Sequence, residues 1–406
     1  MDSVVCEPAR ELPVSHKCDV LVCGGGIAGI AAAIAAARQG AKVTLIEREY
    51  MLGGLATLGL ITIYLAICDG EGHQVSFGLA EELLRLSIKR GVIEDRYPAA
   101  WLEGGTLEEK KKKRFVVQYN ANVFAVDAEK LLTDLGVNIL YGTLAAQVAV
   151  TEGRITHVIV ENKSGRSAIA ARSVVDCTGD ADICKLSGED CETFRQGNIL
   201  AAWYYRFCEQ EGVRLRPLGA CDTPEEYKTK KTENLLTERR FTGLDGQEIS
   251  EMVITSHQAA IDDFEKFRAE HPFALPVTFP TIPQIRMTRR IVGAVTLDDK
   301  EPKKFEPSSI GMVSDWRKRG PVYELPFECL YGKKIKNLIT AGRNISVTDS
   351  MWDITRVIPD CAVTGQAAGT AAAMCDDFAS LDVGSLQKKL ISDGVVLHWN
   401  EIDKGE

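Results

Sequence analysis

The sequence contains twelve cysteines but no CxxC pair and no regular cysteine framework, and its six histidines are dispersed. Without CxxC there is no ready dithiol for disulfide reduction. Without closely spaced Cys and His pairs there are no knuckles of the kind that hold structural zinc. Long hydrophobic runs are missing too. The longest apolar stretches, around Gly26 to Ala37 and Leu58 to Cys68, are too short to span a bilayer and are broken by glycine or polar residues. No membrane segment is therefore expected. The opening MDSVVCEPARELP carries acids and no apolar run, unlike a signal peptide, so a cytoplasmic location is expected. Positive charge is in deficit: 48 Lys and Arg against 57 Asp and Glu leave −9, the wrong sign for nucleic acid. The one basic cluster, Lys110 to Arg114, follows Glu108 and Glu109 and reads as a solvated loop.

Most cysteines lie in apolar segments, as Cys23, Cys177 and Cys361 do, which suits buried reduced thiols. Cys177, Cys184 and Cys191 recur every seven residues and are the one place where an iron or zinc site is conceivable. At 406 residues the chain is long for a single core, so a large domain with a second one, or with an insertion, is expected.

The strongest pattern begins at Asp19. DVLVC (Asp19 to Cys23) reads as a buried parallel strand, GGG follows at once, and GIAAAIAAARQG reads as a helix stopped near Gly40. VTLIE (Val43 to Glu47) supplies the second strand of a βαβ unit. In such a unit Gly24 makes the tight turn, Gly26 admits a pyrophosphate, and Gly29 lets the helix lie close on the sheet. Ile27 and Ala28 open that helix, with its amino terminus towards the phosphates. Glu47 accepts hydrogen bonds from ribose hydroxyls and would repel a 2′-phosphate, which disfavours NADP; Arg48 follows it. NAD enzymes and flavoproteins share this unit, so it does not choose between them.

Two later stretches bear on the choice. REYMLGGLATLGL (Arg48 to Leu60) places Gly53, Gly54 and Thr57 just past the ribose-binding acid, where an extended cofactor could run on. Far along the chain, Asn337 to Ala341 reads as a strand, Gly342 as a sharp turn, and Pro359 to Met374 as a small-residue helix with proline at its start. Between them, Val137 to Tyr141 and a β-meander turning at Asn162 to Gly165 lead into a buried strand, Ser173 to Cys177. From about Leu200 to Tyr323 the pattern loosens into charged and proline-punctuated segments, so we divide the chain into 1–200, a cap at 201–324, and 325–406.

The segments CGGGIAGIAAAIAAARQGAKVTLIERE, MLGGLATLGLITIYLAICDGEGHQVSFGLAEELL, VVDCTGDADIC, PQIRMTRRIVG and NLITAGRN…RVIPDCAVTGQAAGTAAA resemble, in order, the FAD-dependent oxidoreductases of the glutathione-reductase-like class. The resemblance covers roughly half the chain. It implies an α/β fold: a Rossmann-like FAD-binding domain, with a parallel sheet and β-meander, plus a smaller α+β substrate or cap domain. It also implies a non-covalent FAD. Gly24, Gly26 and Gly29 would meet the pyrophosphate, Glu47 the adenosine ribose, and Gly54 and Thr57 the stretch towards the flavin. Thr178, Gly179 and Asp180 match a TGD turn closing over the nucleotide, and Gly342 and Arg343 would lie by the ribityl chain or pyrophosphate. The helix start at Ala362, Gly365 and Gln366 would face the flavin's pyrimidine edge. Where many relatives carry His and Glu, Asp349 and Ser350 follow Thr348 here, so that histidine's role does not transfer.

Flavin chemistry also needs a substrate anchor and a group that moves a proton. Arg286, Arg289 and Arg290 stand at helical or turn spacing, and Arg289 is the expected anchor for a substrate carboxylate. Tyr64 or Asp349 is expected to move the proton. Trp203, Tyr204 and Tyr205 form an aromatic run that either lines a pocket or packs in the core. No second dinucleotide unit is present, so electrons should pass through a small-molecule substrate, oxygen, or an unidentified acceptor or donor. An enzyme acting by hydride transfer is the leading expectation; an electron-transfer subunit serving a partner protein is the alternative. A third use, with the dinucleotide itself as substrate, stays open, as does assembly into a homo-oligomer.

Overall fold

The computed structural model describes residues 4–92, 96–219 and 235–402. Along the chain run β1 (Val14–Cys23), α1 (Ile27–Arg38), β2 (Val43–Ile46), β3 (Ile63–Tyr64), α2 (Leu79–Ser87), α3 (Ala99–Leu102), α4 (Leu107–Lys112), β4 (Val117–Gln118), α5 (Ala121–Asp134) and β5 (Asn138–Leu140). The meander β6 (Leu144–Thr151), β7 (Arg154–Asn162) and β8 (Gly165–Asp176) is followed by α6 (Asp182–Ser187) and β9 (Cys191–Thr193). The cap adds β10 (Tyr204–Cys208), β11 (Gly212–Arg216), α7 (Gly246–Glu270) and β12 (Leu275–Thr278). The chain ends through β13 (Arg289–Ile291), β14 (Ser309–Ser314), β15 (Val322–Pro326), β16 (Leu338–Thr340), α8 (Asp349–Thr355), α9 (Ile358–Met374) and α10 (Val383–Ser392).

A seven-stranded sheet in the order β5-β2-β1-β8-β7-β6 forms the centre, with β16 also paired to β8. Strands β5, β2, β1, β8 and β16 are parallel, and β6 and β7 are antiparallel. β8 is long enough to serve two partners on one edge: its first half carries β7 and its last residues carry β16. β2, β16 and the last four residues of β1 and β8 are buried on both faces, as suits the middle of a parallel sheet, whereas β5 at the edge is partly open. Along β1, Val20 and Val22 enter the main core beneath α1 and α9, while Leu21 and Cys23 enter a second core that includes Ile183 and Cys184 of α6.

The cap is a three-stranded antiparallel sheet, β11-β10-β12, with α7 laid on it. α7 buries Met252, Ser256, Ala260 and Phe264, a stripe repeating every fourth residue that keeps one face inward. β14 and β15 instead place Ile310, Val313, Tyr323 and Leu325 in the main core, so the chain has rejoined that core before residue 324. Within the cap range, 220–234 lie outside the described residues.

Two local expectations change. Lys110 to Lys112 belong to the short helix α4, started by a capping box between Thr106 and Glu109, which the Glu-rich entry and Lys-rich exit favour. Arg289 and Arg290 lie in strand β13, not at helical or turn spacing, so they point to opposite faces. The eleven described cysteines are all unpaired thiols; Cys221 lies outside the described residues. Among the described residues no helix is long and apolar enough to cross a membrane.

The closest helix contact is between α1 and α9. A Cβ at Gly365 would run into the Ala28 carbonyl, and one at Gly369 into the Ala32 carbonyl. Both helices advance by four residues between these contacts, so they run in the same direction and their amino termini share one end. Gly369→Ala should therefore cost about 1–3 kcal/mol by overpacking, despite alanine's better helix propensity. Gly384→Ala in α10 meets only Asp382 Oδ1, at 3.5 Å, and should stabilise by up to about 1 kcal/mol. Urea unfolding of both variants checks this; equal effects would refute the close-contact argument.

Candidate functional site

The two amino termini meet beside the first glycine loop. Gly24 has φ +103°, and a Cβ there would strike the carbonyl of Cys177 at the end of β8, so only glycine serves. Gly26 is different: its φ is −67°, which any residue adopts, and a Cβ there would meet no protein atom within 4 Å. Its missing side chain leaves a hollow at the start of α1, which has no side-chain cap. Ile27 and Ala28 behind it are buried. Gly29 is needed for closeness, since a Cβ would collide with the Gly24 carbonyl and approach Cys177. The second glycine pair lies alongside, with Gly53 N–H donating to the Gly25 carbonyl at 2.8 Å.

Glu47 fixes this loop as well as facing it. One carboxylate oxygen accepts from Gly25 N–H at 2.7 Å and the other from Glu49 N–H at 2.8 Å. Burial pushes its carboxyl above the usual range, against the pull of those two donors. Arg48 points outward beside Glu49. Thr57 is buried and donates its hydroxyl to the Leu52 carbonyl at 2.5 Å, which closes the turn containing Gly53 and Gly54.

The TGD turn and the Gly342-Arg343 turn are fastened together. Arg343 donates to the Gly179 carbonyl (2.8 Å), the Ile285 carbonyl (3.0 Å) and Asp180 Oδ1 (2.7 Å). Thr178 donates its N–H (3.0 Å) and hydroxyl (2.7 Å) to Asp176, and Asn344 Nδ2 reaches the same carboxylate at 3.2 Å. A Cβ on Gly342 would touch Ala28 at 3.0 Å, so this turn also abuts α1. Arg343 thus organises the turn from Thr178 to Asp180 with its guanidinium, in addition to any contact with a ligand.

On α9, Ala362 is fully buried, Gly365 packs on Ala28, and Gln366 Oε1 accepts the Leu79 N–H at 2.7 Å, holding the start of α2. These side chains are spent on packing, so the helix can face a ligand only through its amino-terminal backbone. That terminus has no side-chain cap, and the first intrahelical bond is Cys361 N–H to Val357.

The three expected catalytic side chains occupy different surroundings. Tyr64 is 0% exposed and donates its hydroxyl to the Ala80 carbonyl at 2.6 Å; burial pushes its pKa well above the usual tyrosine range. Arg289 donates to the Asp180 carbonyl at 2.9 Å and to Asp182 at 2.6 Å. Burial pushes the Asp182 carboxyl up to about 6, although 42% of that side chain remains open and solvent softens the effect. Asp349 begins α8 and lies 3.6 Å from Arg290, which stacks over Trp352 and also pairs with Glu192 at 2.8 Å.

The cap touches the second glycine segment at three points, of which the sequence drew attention only to Tyr205, within its aromatic run. Thr281 N–H donates to Leu58 O at 3.0 Å, and Gln284 Nε2 donates to Gly59 O at 2.5 Å. The Tyr205 hydroxyl shares a hydrogen bond with Thr62, in which either oxygen can be the donor. The aromatic run divides as a strand must: Tyr204 is buried with its hydroxyl on Asp263 at 2.8 Å, and Tyr205 turns to Thr62.

The family profile described as FAD dependent oxidoreductase matches residues 19–201 and 223–390. A thioredoxin reductase of Ureaplasma parvum serovar 3 is 33% identical over 95 residues, 23% of this chain and 28% of that protein. A thiamine thiazole synthase of Metallosphaera sedula is 26% identical over 181 residues, 42% of this chain and 57% of that one. The matched stretches thus span little more than a quarter of the first relative's length and little more than half of the second's. A geranylgeranyl bacteriochlorophyll reductase-like protein from Thermoplasma acidophilum is a structural neighbour at TM-score 0.43 and 14% identity, covering 93% of this chain and 83% of its own.

An extended dinucleotide such as FAD fits what is present: the hollow at Gly26, the two uncapped helix starts and the adjoining glycine pairs. Gly26→Ala separates a ligand role from a structural one. The apoprotein should keep its stability within about 1 kcal/mol, because the new methyl meets no protein atom. FAD affinity should fall by about 3 kcal/mol, roughly a hundredfold, because the methyl takes the ligand's place. Thermal unfolding of the apoprotein and flavin-fluorescence titration give the two values. Unchanged FAD affinity would place the phosphates elsewhere.

Proposed function

Because the chain belongs to the FAD-dependent oxidoreductases, we propose that it holds FAD non-covalently and moves a hydride between flavin N5 and a small organic substrate. The reaction is dehydrogenation of the substrate or reduction of an ene or keto group. Bound FAD supplies the two-electron chemistry. The chain supplies the cradle at Gly24 to Gly29, the ribose acceptor Glu47, and two helix starts whose partial positive charges oppose the negative charge of the cofactor.

The observation that carries this reading is the closure of the cap directly onto Leu58 to Thr62, the stretch that continues from the second glycine pair. A substrate held there is enclosed on one side by cap residues and shielded from water. Among the hydroxyls of this region, Tyr64 donates to the Ala80 carbonyl and Tyr119 to the Ala56 carbonyl at 2.8 Å. The Tyr205–Thr62 couple joins two groups that each donate and accept, so it can take up or release a proton without leaving an unpaired donor. We therefore assign proton transfer to Tyr205 and assign Arg289 to support of the TGD turn. Asp349, paired with Arg290, remains a candidate for contact with the substrate's polar end.

The electron-carrier reading has no observation of its own here: among the described residues no group of three or more His, Cys, Asp or Glu side chains is arranged to hold a metal ion. The test begins with purified protein. We expect a flavin spectrum and release of free FAD on denaturation. We also expect anaerobic bleaching by one member of a panel of alcohols, amines, saturated acids and steroid-like compounds, or reoxidation of the reduced protein by an unsaturated acceptor. Tyr205→Phe should slow that substrate-linked step by about 10²–10⁴-fold with FAD content unchanged. Protein that stays colourless after incubation with FAD refutes the proposal, and a bound colourless adenylated compound would point to use of the dinucleotide as substrate.

A further inference from the structure

Asp360 is the third residue of α9 and is 1% exposed. Its Oδ2 is a buried oxygen with no hydrogen-bond partner. The contrast with Asp176 is informative, because that equally buried carboxylate accepts from Thr178 N–H, the Thr178 hydroxyl, Cys184 N–H and Asn344. An ionised carboxylate needs such donors to replace lost water, whereas a neutral carboxylic acid needs far less.

The groups facing Asp360 also disfavour a charge on it. From the turn after β14 comes Asp315, itself a carboxylate engaged with Arg317 at 2.9 Å. From β3 comes Tyr64, whose proton is committed to Ala80, and on α9 itself Cys361 follows. Burial first, and then Asp315, push the Asp360 carboxyl well above the usual carboxylate range. A negative charge in the first turn would cancel the partial charge of roughly +0.5 that an uncapped helix start presents. A proton on Asp360 leaves that field intact.

Resting on the FAD reading above, we propose that Asp360 is a neutral carboxylic acid that keeps the α9 amino terminus electropositive towards the flavin, and so is the positioning residue that sets how readily the flavin is reduced.

Asp360→Asn keeps the shape and removes the ionisation. In the window between the ordinary Asp pKa and its raised folded value, the folded protein holds a proton that the unfolded chain has lost, so wild-type stability falls as pH rises. The stability of Asp360→Asn relative to wild type should therefore increase from about pH 5 upward and level off at the folded pKa of Asp360. Other titrating groups are common to both proteins and cancel in the difference. Thermal or urea unfolding of the FAD-loaded protein across pH gives this curve. Reduction potentials against a reference dye give the second one. Wild type and Asp360→Asn should coincide below the levelling pH, and wild type should become harder to reduce above it, by up to about tenfold in the reduction equilibrium, or 30 mV. If the stability difference is still rising at the highest pH the protein tolerates, the potentials must coincide throughout.

A pH-independent stability difference, potentials already apart near pH 5, or potentials that stay together beyond the levelling pH each overturn the inference. Asp360→Ser, also uncharged, serves the same comparison if the amide variant does not fold. Protein that takes up no FAD refutes the function instead, while the unfolding curves still report whether Asp360 holds its proton.

Discussion

The contact between α1 and α9 constrains everything around it. Gly365 and Gly369 let the helices touch backbone to backbone, and the shared direction brings two positive helix ends together. That alignment is unfavourable by itself. Two half charges about 8 Å apart, at an effective dielectric near 20, repel by on the order of 0.5 kcal/mol. The buried alanines and isoleucines along α1 outweigh this easily at about 0.8 kcal/mol per buried CH₂. The result is a folded chain that presents a concentrated positive field at one end and has no side-chain cap there to absorb it. A pyrophosphate bound there, as proposed, would relieve the repulsion and so complete an arrangement that packing alone has forced.

The acids around this field are handled in opposite ways. Asp176 and Glu47 are buried but surrounded by N–H and O–H donors, and each fixes a loop by accepting hydrogen bonds from it. Asp360 is buried without that support, and it serves the field by being neutral. Arg343 and Arg289 belong to the same economy of charge: their guanidiniums fasten the TGD turn through Asp180 and Asp182. Cations placed on those structural acids hold the turn still, whereas cations aimed at the phosphates would leave it loose.

The parts of this site that rest on local chain geometry were legible in the sequence. The strand, glycine turn and helix at Asp19 to Gly40, the meander turn at Asn162 to Gly165, and the proline-led helix α9 all follow from spacing within a few residues. The parts that depend on distant partners were not. Gln366 matches a motif position, yet its amide holds Leu79, 287 residues away in sequence. IRMTRR allowed a helix or turn because its charges have no apolar alternation; pairing with Cys191 to Thr193 puts its last two residues, Arg289 and Arg290, in a strand. Tyr205 was one of three adjacent aromatics, and only the pleat of β10 decides that it, not Tyr204, faces Thr62.

The same distinction separates cofactor from substrate. Binding the cofactor uses backbone N–H groups and missing side chains, which glycine spacing announces. Choosing a substrate uses side chains that meet only when the cap folds over Leu58 to Thr62, and these come from β10 and the Thr281 to Gln284 segment, more than 140 residues along the chain. The Tyr205–Thr62 couple contains one oxygen from each side of that seam, so the proton transfer proposed for it requires the two sides to be in contact. Under the proposed function, water exclusion and proton delivery would be one event, because any movement that parted the cap from this segment would also part the two hydroxyls.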